Sequence, residues 1–117
     1  MNRGEVYLAD LEPARGAEAD KWRPVILVGN DASLRAADRL GLGVVSVVPC
    51  TSNTSVRGPM QVLLRPNRLN GLTVLSKAQT EQIRSIDVSR LRQPLGRLGA
   101  ADADAVDAAL RYHLALS

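Results

Sequence analysis

Lys21-Trp-Arg-Pro-Val-Ile-Leu-Val-Gly-Asn-Asp31 is the stretch around which the chain is organised: a polar loop runs into an apolar strand with one cation at its mouth. The ring of Pro24 clashes with a helical backbone at the residue before it, so Arg23 is expected to be extended, at the strand's first position. Further on, Val44-Val-Ser-Val-Val-Pro-Cys-Thr-Ser-Asn53 repeats the pattern in reverse, an apolar strand ending in hydroxyls and an amide. Two buried strands would then present Arg23 and Thr51 at their ends. Each feature alone has an ordinary reading, since an Arg ahead of a strand is usually a solvated end and Thr-Ser-Asn usually a turn bonded to its own backbone.

Outward from these strands, Gly4 to Leu11 alternates as an opening strand, and Glu12 to Trp22 has turn residues and charges but no apolar period, so it reads as a long loop. The second strand is expected over Pro24 to Gly29, stopped by Asn30-Asp31. Ala32 to Leu42 supports at most a short helix. Val44 to Cys50 is nearly all apolar, as a strand buried on both faces should be. Thr51 to Gly58 reads as a loop, Met60 to Leu64 and Leu72 to Ser76 as strands, and Lys77 to Ile86 as a continuation of the sheet with Ile83 and Ile86 inward. A connector at Val88 to Arg92 precedes a short strand at Pro94 to Leu98. Asp102 to Leu116 is a helix with Val106, Ala109, Leu110, His113 and Leu114 along one stripe, acids near its start and Arg111 near its end. Many short strands closed by one terminal helix predict a mainly β fold, a small and strongly bent barrel, as a single domain over residues 1–117.

With no Phe among 117 residues, Val, Leu, Ile and Ala must build the core. The single cysteine, Cys50, excludes an intrachain disulfide framework and suits a reducing cytoplasm; its place in a strand marks it as a small buried residue. A catalytic thiol would need a histidine nearby, and the only one is His113 in the last helical turn. One Cys and one His cannot assemble a usual zinc site. No signal-like core or membrane-length apolar run is present, which predicts a cytoplasmic protein. The net charge is +3, yet residues 1–56 hold six Lys or Arg against seven Asp or Glu, whereas Arg57 to Arg97 hold eight against two. Thirteen of the fifteen cations are Arg, whose planar fork matches phosphate oxygens in pairs, although codon bias would produce the same composition.

Five blocks in order, Arg3-Gly-Glu-Val-Tyr-Leu-Ala-Asp-Leu-Glu-Pro13, Gly16-Ala-Glu18, Arg23-Pro-Val-Ile-Leu-Val-Gly-Asn-Asp31, Val48-Pro-Cys-Thr-Ser-Asn53 and Glu81-Gln-Ile-Arg-Ser-Ile-Asp87, resemble the MazF/PemK family of toxin endoribonucleases from type II toxin–antitoxin systems. The resemblance implies an SH3-like barrel of the MazF/CcdB superfamily, usually a homodimer. It implies sequence-specific, metal-independent cleavage of single-stranded RNA (mRNA, or tRNA or rRNA) by the 2′-hydroxyl, and neutralisation by a cognate antitoxin with an acidic and apolar tail. Residues matching Arg23 and Thr51 are the catalytic pair in relatives, and Glu18 matches a loop acid that some relatives use. Arginine is an awkward base because its pKa, above about 12, leaves almost none neutral, so Glu18 is the more natural proton acceptor, with a solvated loop carboxylate as its ordinary reading. Lys21, Ser52, Asn53, Gln79, Gln82 and Arg84 are the matching RNA-groove residues, with a structural amide bonded to the backbone as the other reading of Gln82. Trp22 departs from the smaller or polar residues common before the family's Arg-Pro; it would stack an unpaired base or cover a dimer seam. Two other classes share these features in part, a CcdB-like topoisomerase poison and a plain single-strand RNA-binding module.

Overall fold

The computed structural model describes residues 1–11 and 22–117. Seven strands, β1 (Glu5–Asp10), β2 (Trp22–Leu27), β3 (Val44–Thr51), β4 (Gln61–Leu64), β5 (Ser76–Gln79), β6 (Arg84–Asp87) and β7 (Leu91–Arg97), are joined by α1 (Asp31–Leu40) and followed by α2 (Ala100–Leu114). The sheet runs β4-β5-β3-β2-β1-β7, all neighbours antiparallel, with β6 against the first half of β3. The fold is therefore mainly β with a C-terminal helix, as expected. β4 and β7 end the ladder path, so among the described residues the barrel-like curl is not closed by hydrogen bonds.

The sheet is apolar on both faces. On one, Val6, Ile26, Val48, Cys50 and Ala78 pack with Val106 and Leu110 of α2; on the other, Ala9, Val25, Leu27, Val45 and Val47 pack with Leu34 and Ala37 of α1. These are alternate positions of the same strands, which is why β2 and β3 read as continuous apolar runs.

Two prolines decide where the ladders stop. Val28 N–H donates to the Ser46 carbonyl at 3.0 Å, and the register pairs Ile26 with Val48 and Val25 with Pro49. Because hydrogen-bonded pairs alternate, Pro24 faces β3 with a nitrogen that has no proton for Cys50, and the β2–β3 ladder ends at Val25 and Pro49. Pro49 in turn points its nitrogen away from β2, at the gap where β6 has ended at Val47 and β5 starts at Cys50.

Several boundaries differ from the expectation. β2 begins at Trp22, so Arg23 is the strand's second residue. α1 is a full ten-residue helix: the Asn30 side chain accepts from Ser33 N–H, and Gly41, left-handed at φ 63°, ends it. Leu72 to Leu75 is not a strand, since Asn70 and Leu72 turn inward while Thr73, Val74 and Leu75 are exposed, and the strand starts at Ser76. A single 3₁₀ turn at Thr80–Gln82 interrupts the sheet before β6, with Ile86 buried and Ile83 against the core. The last strand is longer than expected, starting at Leu91, and the terminal helix starts at Ala100 and ends at Leu114. On that helix Val106, Ala109 and Leu110 are buried, whereas Leu114 is exposed.

Candidate nucleic-acid site at the strand ends

Arg23 and Thr51 each lie two residues beyond the last pair of the β2–β3 ladder, Val25 with Pro49, and so at the same end of adjacent strands. Thr51 pairs on its other side with Lys77, and Lys77 with Leu63, so Arg23, Thr51 and Lys77 lie in one row and share a face. Arg23 is exposed and, among the described residues, has no ion-pair partner. The Thr51 hydroxyl oxygen accepts from Asn53 N–H at 3.2 Å, which leaves its own proton to give away. Lys77, only 7% exposed, sends its ammonium to the Val56 carbonyl and ties down the segment that leaves Thr51. Thr80 Oγ1 donates to the Met60 carbonyl further along, and Gly58 N–H donates to Gln61 Oε1 at 3.1 Å.

Beside this row opens a cavity of about 530 Å³, bordered by Trp22, Arg23, Thr51, Ser52, Thr73 and Val74 and floored by apolar groups such as Leu8, Pro24 and Leu95. Most of its strand residues are the alternates of the Arg23 row, while Arg23 and Thr51 themselves reach its border at the strand ends. Cys50 lies beneath, fully buried, and burial pushes its thiol up to about 12, which keeps it protonated and inert. It is the small buried residue expected.

Of the sequence candidates, Trp22, Arg23, Thr51 and Ser52 come together at this cavity. Glu18 and Lys21 lie outside the described residues. Asn53 is not part of the cavity wall; its side-chain oxygen accepts from Ser55 Oγ at 2.8 Å and Ser55 N–H at 3.3 Å, the self-bonded turn that was its ordinary reading. Gln79 pairs with Gln61 at the far end of β5, Gln82 sits exposed in the 3₁₀ turn, and Arg84 pairs with Val47. Arg84 is thus four residues down β3 from Thr51, roughly 13 Å at the usual strand rise. None of these three borders the cavity. Lys77, Thr73 and Val74 were missed. Thr73 and Val74 were hidden by reading Leu72 to Ser76 as a strand, and the one usable signal for Lys77 was a lone cation flanked by the small residues Ser76 and Ala78.

Residues 2–114 match the family described as PemK-like, MazF-like toxin of type II toxin-antitoxin system. The chain belongs to that family. It is 51% identical over 116 residues to Endoribonuclease MazF9 of Mycobacterium tuberculosis, covering 99% of this chain and 98% of that protein. It is 29% identical to Endoribonuclease MazF of Staphylococcus epidermidis over 100% of this chain and 93% of that one. Among solved structures, an endoribonuclease in complex with its cognate antitoxin from a mycobacterial species superposes with a TM-score of 0.77 at 25% identity, covering 100% of this chain and 97% of the other. As a member of the MazF/PemK family, the chain carries its Arg-Pro motif on β2 and its Pro-Cys-Thr motif on β3, adjacent strands of one sheet. No helix among the described residues is long and apolar enough to cross a membrane.

Proposed function

We propose that this chain is an RNA-cleaving toxin whose strand-end pair, Arg23 and Thr51, stabilises the transition state of metal-independent, sequence-specific cleavage of single-stranded RNA. The observation that carries the proposal is the cavity whose border brings together Arg23 at the end of β2, with no ion-pair partner among the described residues, and the Thr51 hydroxyl at the end of β3. RNA contains its own nucleophile. The 2′-hydroxyl loses its proton and its oxygen attacks phosphorus, the bond to the 5′-oxygen breaks, and that oxygen takes a proton, leaving a 2′,3′-cyclic phosphate and a 5′-hydroxyl. Negative charge grows on the phosphoryl oxygens in between, and fixed donors aimed there supply the largest usual catalytic effect. Arg23 offers two parallel N–H groups and Thr51 its hydroxyl proton, with Ser52 alongside. Glu18 is assigned as the proton acceptor, and Lys21 as a further phosphate contact. The similar endoribonuclease solved in complex with its cognate antitoxin supports an antitoxin as partner. By this reading that antitoxin has an acidic, apolar tail that competes with RNA for this groove, and the toxin acts as a homodimer in the cytoplasm.

Arg23→Ala and Thr51→Ala should each lower cleavage of a short RNA by at least about 100-fold with unchanged thermal unfolding, because both lie outside the buried core. Arg23→Lys should remain largely inactive if two-point recognition matters. Parental rates in both Ala variants would remove the chemistry from these strand ends and favour an RNA-binding module that does not cut.

A further inference from the structure

Trp22 is the chain's only tryptophan, and in a protein with three aromatic side chains it is left 48% exposed at the rim of the cavity. Its indole is not loose. The Arg92 guanidinium of β7 lies 5.6 Å from the ring centroid, and Arg92 is held by Asp10 Oδ2 at 3.4 Å. Asp10 is the direct partner of Trp22 across β1 and β2, and its carbonyl accepts from Arg90 at 3.2 Å. Arg92 therefore reaches from β7 over β1 to the indole on β2. The family resemblance puts a small or polar residue at this position and assigns Arg92 no role.

We propose that the cavity beside Trp22 is a nucleobase subsite, in which one unpaired base of the RNA stacks on the indole while Arg92, anchored by Asp10, holds the ring in place. The inference rests on the RNA-cleaving reading and adds to it a base-recognition element. Three features carry it. Trp22 and Arg23 are successive residues of one strand and leave it in opposite directions, yet both border the cavity, so a nucleotide laid over the strand end sets its base against the indole while its phosphate meets Arg23. The cavity has the size usual for small-ligand sites and combines an apolar floor with hydroxyls of Thr51, Ser52 and Thr73 at its edge, which suits a flat π-face with a polar rim. The neighbours of the indole are charged, namely Arg92 over its face and Asp10, its partner across the strands, whereas the cores of protein interfaces are depleted in charge. A positive groove with an aromatic platform is how single-strand binders hold bases without pairing them.

Because Trp22 is the only tryptophan, its fluorescence reports the subsite directly. The probes are short fluorescein-labelled 2′-O-methyl oligonucleotides, which cannot supply the nucleophile, made of each base in turn, and an abasic oligomer of equal charge; anisotropy measures binding independently of the indole. At least one base-bearing oligomer should quench Trp22 emission as it saturates the protein, and the abasic one should bind more weakly without quenching. Trp22→Ala should weaken the base-bearing oligomer by about 5- to 150-fold and leave the abasic one unchanged, while Trp22→Phe keeps most of the affinity. Arg92→Gln should cost about 2- to 5-fold, partly restored by Arg92→Lys, which returns the cation to the ring. Saturation by anisotropy with no change in Trp22 emission for any base would overturn the subsite and leave the cleavage reading standing. Absence of any binding would overturn both. Emission that changes on dilution of the protein and not on adding oligomer would assign Trp22 to a contact with a second copy instead.

Discussion

Removing the side chain of Asn70 should loosen the wall of the cavity by a calculable amount. Asn70 is fully buried, and its side-chain oxygen accepts from Asn67 N–H at 3.1 Å and Leu72 N–H at 2.9 Å while its amide donates to the Arg65 carbonyl at 2.9 Å. Asn70→Ala leaves two donors and an acceptor without partners. Arg65 and Asn67 are exposed residues that water can reach, so their loss should be near 0.5 kcal/mol each, whereas Leu72 N–H is buried and forfeits about 2 kcal/mol. The sum is about 3 kcal/mol, or a fall of roughly 12 °C in Tm for a chain of this length. Urea unfolding followed by far-ultraviolet circular dichroism measures it. Asn70→Asp is the control: it keeps the acceptor but must bury a carboxylate and loses the donor. Protonation restores that donor, and since burial raises the folded-state pKa above the unfolded one, the deficit should shrink as pH falls towards about 4 and grow above it. A loss below about 1 kcal/mol for Asn70→Ala would show that the Arg65–Leu72 turn is held by other means.

Cleavage should persist in excess EDTA and yield a 2′,3′-cyclic phosphate and a 5′-hydroxyl, and a 2′-deoxyribose at the cut nucleotide should abolish it; cutting of that deoxy substrate, seen on a sequencing gel, would refute the 2′-hydroxyl route. RNA affinity should fall steeply between low and physiological salt because phosphate contacts displace counterions, and a flat salt dependence in filter binding would reduce the Arg excess to surface composition. Cys50 has its folded pKa raised from 9.0 to about 12, so the stability it confers is complete below pH 9 and is lost as pH rises towards 12. Unfolding free energies from urea titrations at pH 8 to 11 should therefore fall more steeply for the parent than for Cys50→Ala, by up to about 1.4 kcal/mol per pH unit, and parallel curves would contradict the burial of the thiol.

The two strands that carry Arg23 and Thr51 at their ends were legible because prolines leave marks that tertiary context rarely erases: Pro24 forces extension before it, and a run such as Val44 to Cys50 has few alternatives to a central strand. The terminal helix was legible for a similar reason, its apolar stripe and terminal charges agreeing. α1 was underread because its Arg and Asp residues masked a narrow stripe of Leu34 and Ala37, and its length rests on the Asn30 and Gly41 caps. β5 was placed four residues early because Leu72-Thr-Val-Leu75 has strand composition while its backbone follows the buried amide of Asn70, a long-range demand that local composition does not express. Gln79, Gln82 and Arg84 were matched by motif, and only the ladder of β3, divided between β5 and β6, separates them from Thr51.

Gly71 and Gly96 mark where the turn over β7 is tightest. A β-carbon on Gly71, which is left-handed at φ 68°, would strike the Leu95 carbonyl, and one on Gly96 would strike the Leu69 carbonyl, whose oxygen already accepts from Arg97 N–H at 2.9 Å. Between this crossing and the start of β5, Thr73, Val74 and Leu75 are exposed. An effort to retarget the toxin to a different RNA sequence has its natural library there: three positions held between two fixed posts, free to change size and polarity while Leu69 to Gly71 and Leu95 to Gly96 stay as they are.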